Sequence, residues 1–402
     1  LQPGHNLTIS FTETSFNFKI AKYWDLETKK EESSINNVNV AKEFKNVFED
    51  SIQVHLRSDV EIGSCLSGGL DSSSIVCTAA KNNKEKIKVF NSRFEEKKFD
   101  ESNYAQMVAD KYDLKLHYCS LNPSDVLNQL DKILFHQDEP FTDFSIMAQW
   151  EVMKLANENG IKVMLDGQGG DELLYGYRKY FAFYLKDLFK EKKYLLFIKE
   201  LFYLLKSNEI NFFNKEGIFK YLKRNNKAKY LSKYALTLKE SRSIGLNSVK
   251  STKELSKNDI KYLSFPQLLR YEDRNSMAFS IEARVPIIDQ KVVEYLYSLP
   301  SNKLINAGFS KSVLRDAMKN ILPDEIRERK SKLGFSTPQS DWLTSNIELK
   351  TFFTDYFSKM KNPYLDNKYI YKEFKKYPNS KLFSTDFSKF LIFDKWYNLN
   401  FK

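Results

Sequence analysis

The sequence predicts an α/β protein with a doubly wound, mainly parallel sheet, followed by a helical C-terminal region. Between about residues 38 and 182, short apolar segments of strand length alternate with segments whose apolar residues recur at helical spacing. Beyond Tyr180 the strand pattern is lost, and helical spacing continues to the C-terminus with breaks near several prolines. At 402 residues the chain exceeds the size of one ordinary hydrophobic core, so we expect two domains.

The N-terminal segment is predicted to form two short strands. Apolar and polar residues alternate in HNLTISF and FNFKIAKYW, as expected of paired strands. From about Val38 to His55 the apolar spacing becomes helical. We therefore place a boundary near residue 36 and interpret residues 1–36 as a tail or linker.

Four strands are predicted in the α/β core, residues 37–182. They lie in VEIGSCLS, IKVFNSRF, KLHYCS and IKVMLDG, and helical segments separate them. Strands that alternate with helices favour a parallel sheet, in which ligands bind beyond the carboxyl ends of the strands. The rest of the chain divides into a basic helical insertion, residues 183–262, and a helical C-terminal part, residues 263–402.

Composition excludes several classes of protein. No apolar run approaches the ~20 residues of a membrane span, and the first thirty residues lack the pattern of a secretory leader. The three cysteines, Cys65, Cys77 and Cys119, lie in apolar surroundings without metal-ligand spacing, so we expect buried free thiols. These features favour a soluble cytoplasmic protein with no membrane partner.

The net charge of +11 comes from one segment. Residues 178–261 hold 21 Lys and Arg against 8 Asp and Glu, an excess of 13 that leaves −2 for the rest of the chain. The basic residues are interspersed with Phe, Tyr and Leu at helical spacing, as in FKYLKRNNKAKYLSKYAL. We interpret them as the solvated face of lysine-rich helices and expect no nucleic-acid partner; a polyanion site is the alternative.

The segment LSGGLDSSSI, residues 66–75, joins a predicted strand to a predicted helix. Glycines at such a junction bring backbone N–H groups and the helix N-terminus together, which favours an anion such as phosphate. Phosphate loops of the Walker type contain a lysine, whereas this loop contains Asp71. A carboxylate suits a polyphosphate only with a cation between them, so Asp71 is a candidate Mg²⁺ ligand beside serine hydroxyl donors. The alternative is an ordinary turn in which Asp71 caps the helix.

A second segment of the same kind, LDGQGGDE, ends the fourth predicted strand. Two such loops at the carboxyl ends of parallel strands can face one cleft, where Asp71 and Asp171 would flank one or two Mg²⁺ ions that bridge a pyrophosphate. Asp166 also lies in this loop, and a residue that leaves a strand is often only a turn former.

These motifs resemble those of a known family. SGGLDSS resembles the pyrophosphate loop of N-type ATP pyrophosphatases. Together with DGQGGDELLYGY, SMAFSIEARVPIID and KSVLRDAMKNILPDEIRERKSKLGF, it resembles the synthetase domain of glutamine-hydrolysing asparagine synthetases. The similarity extends in the same order over most of residues 38–342. It implies an ATP pyrophosphatase fold like that of the adenine nucleotide alpha hydrolases, with ATP and Mg²⁺ as cofactors. It also implies small-molecule substrates, and it is compatible with a homodimer.

The resemblance also implies a reaction. The side-chain carboxylate of aspartate attacks the α-phosphorus of ATP and pyrophosphate leaves, after which ammonia displaces AMP to form asparagine. Asp71 and Asp171 would hold magnesium. The residues implied in nucleotide and phosphate binding are Ser67, Gly68, Gly69, Asp71, Ser72, Ser73, Gly167, Gly169 and Gly170. The alternative is the same adenylation of another acid, for sugar-acid amidation or closure of a lactam or peptide ring.

Further residues are implied in catalysis or substrate binding. Lys332, in KSKLGF, matches a lysine that stabilises the developing charge, and Glu282 is a candidate catalytic carboxylate. Val89, Asn91 and Ser92 are weaker candidates near adenine. Asp138, Glu139, Glu282, Arg284 and Asp289 are candidates for binding the substrate or organising the second domain, and a buried ion pair or a helix cap is the structural alternative for each of them.

Two departures from the family pattern affect the nitrogen chemistry. The family begins with a glutaminase domain, and only LQPGHNLTISF with YWDL resembles its end, so we expect a fragment or a shortened chain that uses free ammonia, with a glutaminase domain in cis or in trans as partner. Gln168 stands where asparagine synthetases have glutamate and β-lactam synthetases have tyrosine. A neutral amide cannot accept a proton. Either ammonia arrives unprotonated, another carboxylate such as Glu139 or Glu282 accepts the proton, or the acid is not aspartate. The structural alternative is that Gln168 only shapes the turn.

Overall fold

A five-stranded parallel sheet forms the centre of the molecule. The computed structural model of the protein describes residues 1–26, 37–82, 87–206, 230–237, 249–330 and 336–402. The strands are β1 (His5–Phe11), β2 (Phe16–Lys22), β3 (Ile62–Cys65), β4 (Lys88–Arg93), β5 (Leu116–Ser120), β6 (Val163–Leu165), β7 (Glu282–Arg284), β8 (Ile305–Asn306) and β9 (Phe309–Ser310). The main sheet has the order β5-β4-β3-β6-β7, and every neighbouring pair in it is parallel.

Helices cover both faces of this sheet, as the predicted doubly wound fold requires. They are α1 (Asn37–His55), α2 (Leu70–Asn82), α3 (Ser102–Tyr112), α4 (Pro123–Gln137), α5 (Ser145–Glu158), α6 (Gly170–Leu173), α7 (Arg178–Lys190), α8 (Tyr194–Lys206), α9 (Lys233–Thr237), α10 (Thr252–Lys261), α11 (Ser264–Met277), α12 (Gln290–Ser298), α13 (Ser301–Leu304), α14 (Ser312–Ala317), α15 (Asp324–Arg327), α16 (Gln339–Ser345), α17 (Ile347–Lys359), α18 (Asn367–Phe374) and α19 (Ser384–Phe401).

The strand order places a topological switch point between β3 and β6. From β3 the chain moves outward through β4 to β5, then returns to the other side of β3 for β6 and β7. At such a point the loops after the two central strands diverge and leave a crevice in which ligands bind. The two glycine-rich loops identified in the sequence are the loops that follow β3 and β6, so the fold brings them together at this crevice.

The hydrophobic core is divided among the faces of the sheet. One cluster joins α1, α2 and α14 through buried residues such as Phe44, Ile75 and Leu314. On the opposite face, α5 packs on the sheet through Met153 and Ala156. The burial of these apolar faces, at about 25 cal/mol per Å², is the main force that holds the helices on the sheet.

The C-terminal part contributes one strand to the main sheet, so the prediction that strands end before Tyr180 is wrong. The strand β7 pairs with β6, and the backbone N–H of Glu282 donates to the carbonyl of Lys162 at 2.9 Å. A strand of three residues is too short to show the alternation of apolar and polar residues on which sequence prediction depends. The short hairpin of β8 and β9 escaped prediction for the same reason.

The predicted pair of N-terminal strands is confirmed. β1 and β2 form an antiparallel hairpin with all seven residues of each strand in register. Much of the basic insertion, residues 207–229 and 238–248, lies outside the described residues. Among the helices that are described, none is long and apolar enough to cross a membrane.

Candidate functional site

A cavity of about 470 Å³ opens at the crevice between the two glycine-rich loops. Its wall combines both loops with the carboxyl end of β4, the start of α5 and the middle of α11. Of the predicted site residues, those that line it are Ser67, Gly69, Asp71, Ser72, Asn91, Ser92, Gly167, Gln168, Gly169 and Asp171. Residues far apart in the sequence therefore meet at one site.

The loop after β3 forms the N-terminal end of α2. Ser67 and Ser72 hydroxyls lie 3.0 Å apart, and the backbone N–H of Ser67 donates to Ser72 Oγ at 3.2 Å. Gly68 has a left-handed backbone with φ 76°, and a Cβ there would lie 2.7 Å from Tyr104 Cβ on α3. Ser73 is buried and its hydroxyl makes no hydrogen bond within the described residues. The loop thus presents hydroxyls and the first N–H groups of a helix to the cavity, an arrangement that binds anions.

The loop after β6 packs directly on the first loop. A Cβ on Gly170 would lie 2.6 Å from Asp71 Cγ, a separation that real Cβ atoms do not tolerate. A Cβ on Gly167 would lie 2.9 Å from the backbone nitrogen of Ser72. Glycine at both positions is therefore a condition for the close approach of Asp71 to the second loop.

Asp71 and Asp171 share one cation, the ammonium group of Lys311. Lys311 Nζ lies 2.5 Å from Asp71 Oδ2 and 2.6 Å from Asp171 Oδ1, and the lysine is only 3% exposed. Its backbone N–H donates to the carbonyl of Leu174 at 3.1 Å, which anchors it to the segment that follows α6. Gly176 makes room for the pair, because a Cβ there would meet both Asp171 Oδ1 and Lys311 Cε. The two carboxylates face the same point.

The two carboxylates around Lys311 Nζ provide fewer oxygen ligands than a resident Mg²⁺ ion needs. Asp71 and Asp171 are two hard oxygen ligands, and no group of three or more His, Cys, Asp or Glu side chains suited to a metal occurs among the described residues. Mg²⁺ commonly binds through one or two carboxylates together with substrate phosphates and water. The residues therefore fit a magnesium ion that arrives with a polyphosphate and do not form a cage for a resident metal.

Two polar side chains at the end of β4 have unused hydrogen-bonding capacity. Asn91 Nδ2 donates to the carbonyl of Leu66 at 2.8 Å, whereas Asn91 Oδ1 is buried without a hydrogen bond. Ser92 Oγ is likewise buried and makes no hydrogen bond within the described chain. Both residues line the cavity, so these two oxygen atoms are available to a bound ligand. Val89, in contrast, is fully buried in the core and its N–H bonds the carbonyl of Lys115 within the sheet.

A half-buried and a buried carboxyl group lie beside Gln168. Asp166 lines the cavity, and Glu272 on α11 is 2% exposed. Burial raises the pKa of Asp166, and burial together with the neighbouring Asp166 raises the pKa of Glu272 well above its ordinary value. Glu172 on α6 is buried too, which raises its pKa, but Tyr177 and Ser264 hydroxyls donate to it at 2.6 and 3.1 Å.

The remaining predicted carboxylates and Arg284 lie away from the cavity wall formed by the described residues. Glu282 is on β7 with 62% of its side chain exposed, and it pairs with Arg284 at 2.7 Å, so its position lends no support to a catalytic role. Arg284 donates to the carbonyls of His55 and Arg57 and thereby holds α1 against the sheet. The two residues do form an ion pair, but Glu282 is exposed and the pair is not buried.

The segment DEPFTDFS contributes to the cavity through residues that were not predicted. Asp138 and Glu139 are largely exposed and pair with Arg274 and Arg270 on α11. Asp143 and Ser145, further along the same segment, line the cavity instead. Asp289 caps α12 by accepting the N–H of Lys291. Lys332 lies outside the described residues.

Two residues of the site, Lys311 and Glu272, have no local sequence signal that predicts a role. Lys311 stands in one of the quoted motifs, but it is one of many lysines and it meets Asp71 across 240 residues of sequence. Glu272 lies in RYEDRN, which has the composition of a solvated helix face. Its burial depends on the packing of α11 against α5, which no local pattern records.

Comparisons with known proteins match most of the chain. A family model described as asparagine synthase matches residues 43–398. Asparagine synthetase [glutamine-hydrolyzing] 1 of Bacillus subtilis is 30% identical over 326 residues, which is 77% of this chain and 51% of the relative. Asparagine synthetase [glutamine-hydrolyzing] 3 of the same organism is 27% identical over 82% of this chain and 53% of the relative. The chain thus spans about half the length of these curated relatives.

More distant matches carry other names. The amidase chyE of Penicillium rubens is 23% identical over 85% of this chain and 58% of the relative. Among solved structures, the U34-tRNA thiolase NcsA of Methanococcus maripaludis aligns over 93% of this chain and 87% of its own, with a TM-score of 0.32 and 12% identity. A TM-score and a sequence identity this low carry no information on the fold or the function of this chain.

Proposed function

This chain belongs to the asparagine synthase family, and we propose on that premise that it is an ATP-dependent ligase that forms an amide. The acid is adenylated at its carboxylate with release of pyrophosphate, and ammonia then displaces AMP. We propose aspartate as the acid and asparagine as the product. The convergence of Asp71 and Asp171 on one cation at the switch point of the sheet is the observation that carries this proposal.

The geometry supports adenylation because the loops can hold a pyrophosphate leaving group. The oxygen of the substrate carboxylate attacks the α-phosphorus, and the bond between the α-phosphorus and the bridging oxygen breaks. Ser67, Ser72 and the N-terminal end of α2 are placed to donate hydrogen bonds as negative charge grows on the departing phosphates. Magnesium, when bound by Asp71 and Asp171, would neutralise part of that charge. Asn91 and Ser92 are placed to position the nucleoside.

The adenylation of a different acid is a second candidate. The described residues that line the cavity include Glu101 and Asp143 but no lysine, arginine or histidine. Aspartate carries a second carboxylate that needs a cationic or strongly donating partner, whereas a substrate with amino or hydroxyl groups would suit acidic side chains.

We include Lys332 in the proposal as the residue that stabilises charge during both steps, because of its place in the segment KSKLGF.

Exchange of labelled pyrophosphate into ATP tests the proposal. With Mg²⁺ and the correct acid, the full chain should catalyse acid-dependent exchange, and Asp71→Asn should lower it by roughly 10²–10³-fold. Aspartate is tested first, followed by sugar acids and β-amino acids. Exchange with another acid and none with aspartate would move the assignment to that acid. Absence of exchange with every acid, in protein shown to be folded, would refute adenylation.

The source of nitrogen is a separate proposal. We propose that a glutaminase domain, in cis or in trans, supplies ammonia to this site, because the curated relatives are named as glutamine-hydrolysing and are about twice as long as the matched region. Amide formation by this chain is measured with ammonium chloride and with glutamine. We expect this chain to form the amide with ammonium chloride and not with glutamine, and we expect glutamine to support the reaction once a glutaminase is added. No amide formation with either nitrogen source would count against the transfer step.

A further inference from the structure

We propose that Asp166 and Glu272 form a proton-sharing pair that acts as the general base of the ammonia-transfer step. This inference rests on the proposed function. Asp166 lines the cavity and is the member that meets the reacting nitrogen, so it would be the catalytic residue. Glu272 lies behind it, almost completely buried, and would act as a positioning residue. Gln168, an amide between the two loops, cannot accept the proton itself.

A chain of buried amides sets the orientation of the pair. Asn275 Nδ2 donates to the carbonyl of Ile146 at 2.9 Å, so its Oδ1 faces Gln137 Nε2 at 2.8 Å. The same Nδ2 donates to Gln149 Oε1 at 3.0 Å, which leaves Gln149 Nε2 to donate to Glu272 Oε2. Because a backbone carbonyl can only accept, the direction of every hydrogen bond in this chain is determined. Glu272 Oε2 is therefore occupied as an acceptor.

The other oxygen of Glu272 is left for a proton. Glu272 Oε1 is buried and makes no hydrogen bond of good geometry to any donor in the described residues. The Asp166 carboxyl lies within hydrogen-bonding reach of Glu272. Two buried carboxylates in contact repel each other, whereas one shared proton converts the contact into a hydrogen bond. Glu272 holds that proton, since it is the more deeply buried of the two and its Oε1 has no donor among the described residues, whereas Asp166 reaches the cavity and accepts the N–H of Gly167.

The other groups that face the pair are uncharged. They are the amides of Gln149 and Gln168, the N–H of Gly167, which donates to Asp166 Oδ1 at 2.5 Å, and the thiol of Cys65 on β3. Burial raises the pKa of Cys65 well above its ordinary value, so the thiol stays neutral. Within the described residues, no lysine, arginine or histidine forms an ion pair with either carboxyl. The pair thus has one ionised member that can accept a proton.

The transfer step balances through this pair. The lone pair of ammonia attacks the acyl carbon of the adenylate and forms the C–N bond, which leaves an extra proton on nitrogen. Asp166 accepts that proton. The bond between the acyl carbon and the phosphate oxygen then breaks, and its electron pair leaves with AMP. Solvent at the cavity mouth removes the proton from Asp166 before the next turnover.

The experiment separates the two half-reactions in the full chain. Acid-dependent pyrophosphate exchange reports adenylation, and ammonia-dependent amide formation reports transfer at a constant concentration of unprotonated ammonia. The variants are Asp166→Asn and Glu272→Gln, which keep the shape of each side chain, with Glu158→Gln at the exposed end of α5 as the matched control. Thermal unfolding of each variant confirms that it is folded.

The expected result is selective. Asp166→Asn should keep exchange within a few-fold of wild type and lower transfer by roughly 10²–10⁴-fold, the usual contribution of a general base. Glu272→Gln should lower transfer less and move its acidic limb to higher pH, because an amide N–H is a weaker donor to the Asp166 carboxylate than a carboxyl O–H. Glu158→Gln should behave as wild type.

Two outcomes would overturn the inference. Wild-type transfer rates and pH profiles in both variants would show that neither carboxyl handles the proton. Equal losses of exchange and transfer in Asp166→Asn would place Asp166 in nucleotide binding instead. Failure of wild-type protein to catalyse exchange with any acid would refute the proposed function itself, which is a distinct result.

Discussion

Asp71 and Asp171 in the cavity share the ammonium of Lys311, whereas Asp166, in the same wall, and Glu272 behind it share a proton. Each pair consists of two carboxyl groups that are largely shielded from water. In the first, both groups lie against a cation. In the second, no cation of the described residues is in reach, so one group takes up a proton.

The difference shows how one cavity can bind a cation and transfer a proton with the same functional group. Carboxylates that a cation already bridges can exchange that partner for a metal and its phosphates. A pair of carboxyls that shares one proton keeps one ionised member that can accept another proton, as a general base requires. The neighbours of each pair, and not its residue type, determine its chemistry.

The largest expected effect comes from loss of one member of the first pair. Asp71→Asn and Asp171→Asn should each lower acid-dependent exchange by roughly 10²–10³-fold, because developing phosphate charge would lose a preorganised partner. Asp110→Asn, on the exposed face of α3, is the matched control and should retain exchange. If Asp171→Asn exchanged normally while Asp71→Asn did not, the two carboxylates would not act on a common ion.

Removal of the cation should destabilise the first pair strongly. Lys311→Met leaves two buried carboxylates facing each other and should cost about 3 kcal/mol in the free energy of unfolding. We expect Mg²⁺ to restore more stability to this variant than it adds to wild type, since a metal can take the vacated position. Urea denaturation with and without Mg²⁺ measures both. An equal Mg²⁺ response in the two proteins would contradict a metal at this position.

The close contact between the two loops is tested with a single methyl group. Gly170→Ala places a Cβ 2.6 Å from Asp71 Cγ, so Asp71 must move, and exchange should fall about 10- to 100-fold, as for a strain of about 1–3 kcal/mol. Gly160→Ala is the control, because a Cβ there meets no atom within 4 Å. Its left-handed backbone should lower stability and leave exchange unchanged. A fall in exchange for both variants would point to general destabilisation.

The smallest expected effect concerns the pH dependence of stability. The folded pKa of Glu272 is raised, so its contribution to stability is full below its unfolded pKa of about 4.3 and is lost as pH rises through the folded value. Glu272→Gln is neutral at every pH and should therefore flatten the decline of stability towards alkaline pH by about 1 kcal/mol. Urea denaturation across neutral and alkaline pH measures the slope. An unchanged slope would mean that Glu272 does not hold the proton.

Much of the fold followed from local patterns. The strands β3 to β6, the hairpin of β1 and β2 and the helix α1 lie where alternating or helical apolar spacing predicted them. The strand β7 was not predicted, because three residues give no period and its pairing with β6 supplies most of its stability. The C-terminal part was therefore predicted as helical, although it completes the sheet.

The candidate site was predicted in part. Glycines, serines and aspartates in loops after strands gave a local signal for the phosphate end, where Asp71 and Asp171 do converge. Glu282 was singled out by its motif, yet its side chain is exposed at the sheet edge. Glu272 and Lys311 left no local signal, since a charged residue in a helix or loop reads as solvated until its packing is known.

The sequence by itself determined the α/β class, the two acidic glycine-rich loops and the membership of the family, because each is written in short, contiguous patterns. Only the tertiary structure decided which carboxyl groups meet a cation and which meet each other. The chemistry of each carboxyl group depends on burial and on partners such as Lys311 and Gln149, which reach the site from distant parts of the chain. Electrostatic energies rise steeply as water is excluded, so an aspartate side chain has a different chemistry in each of the two pairs.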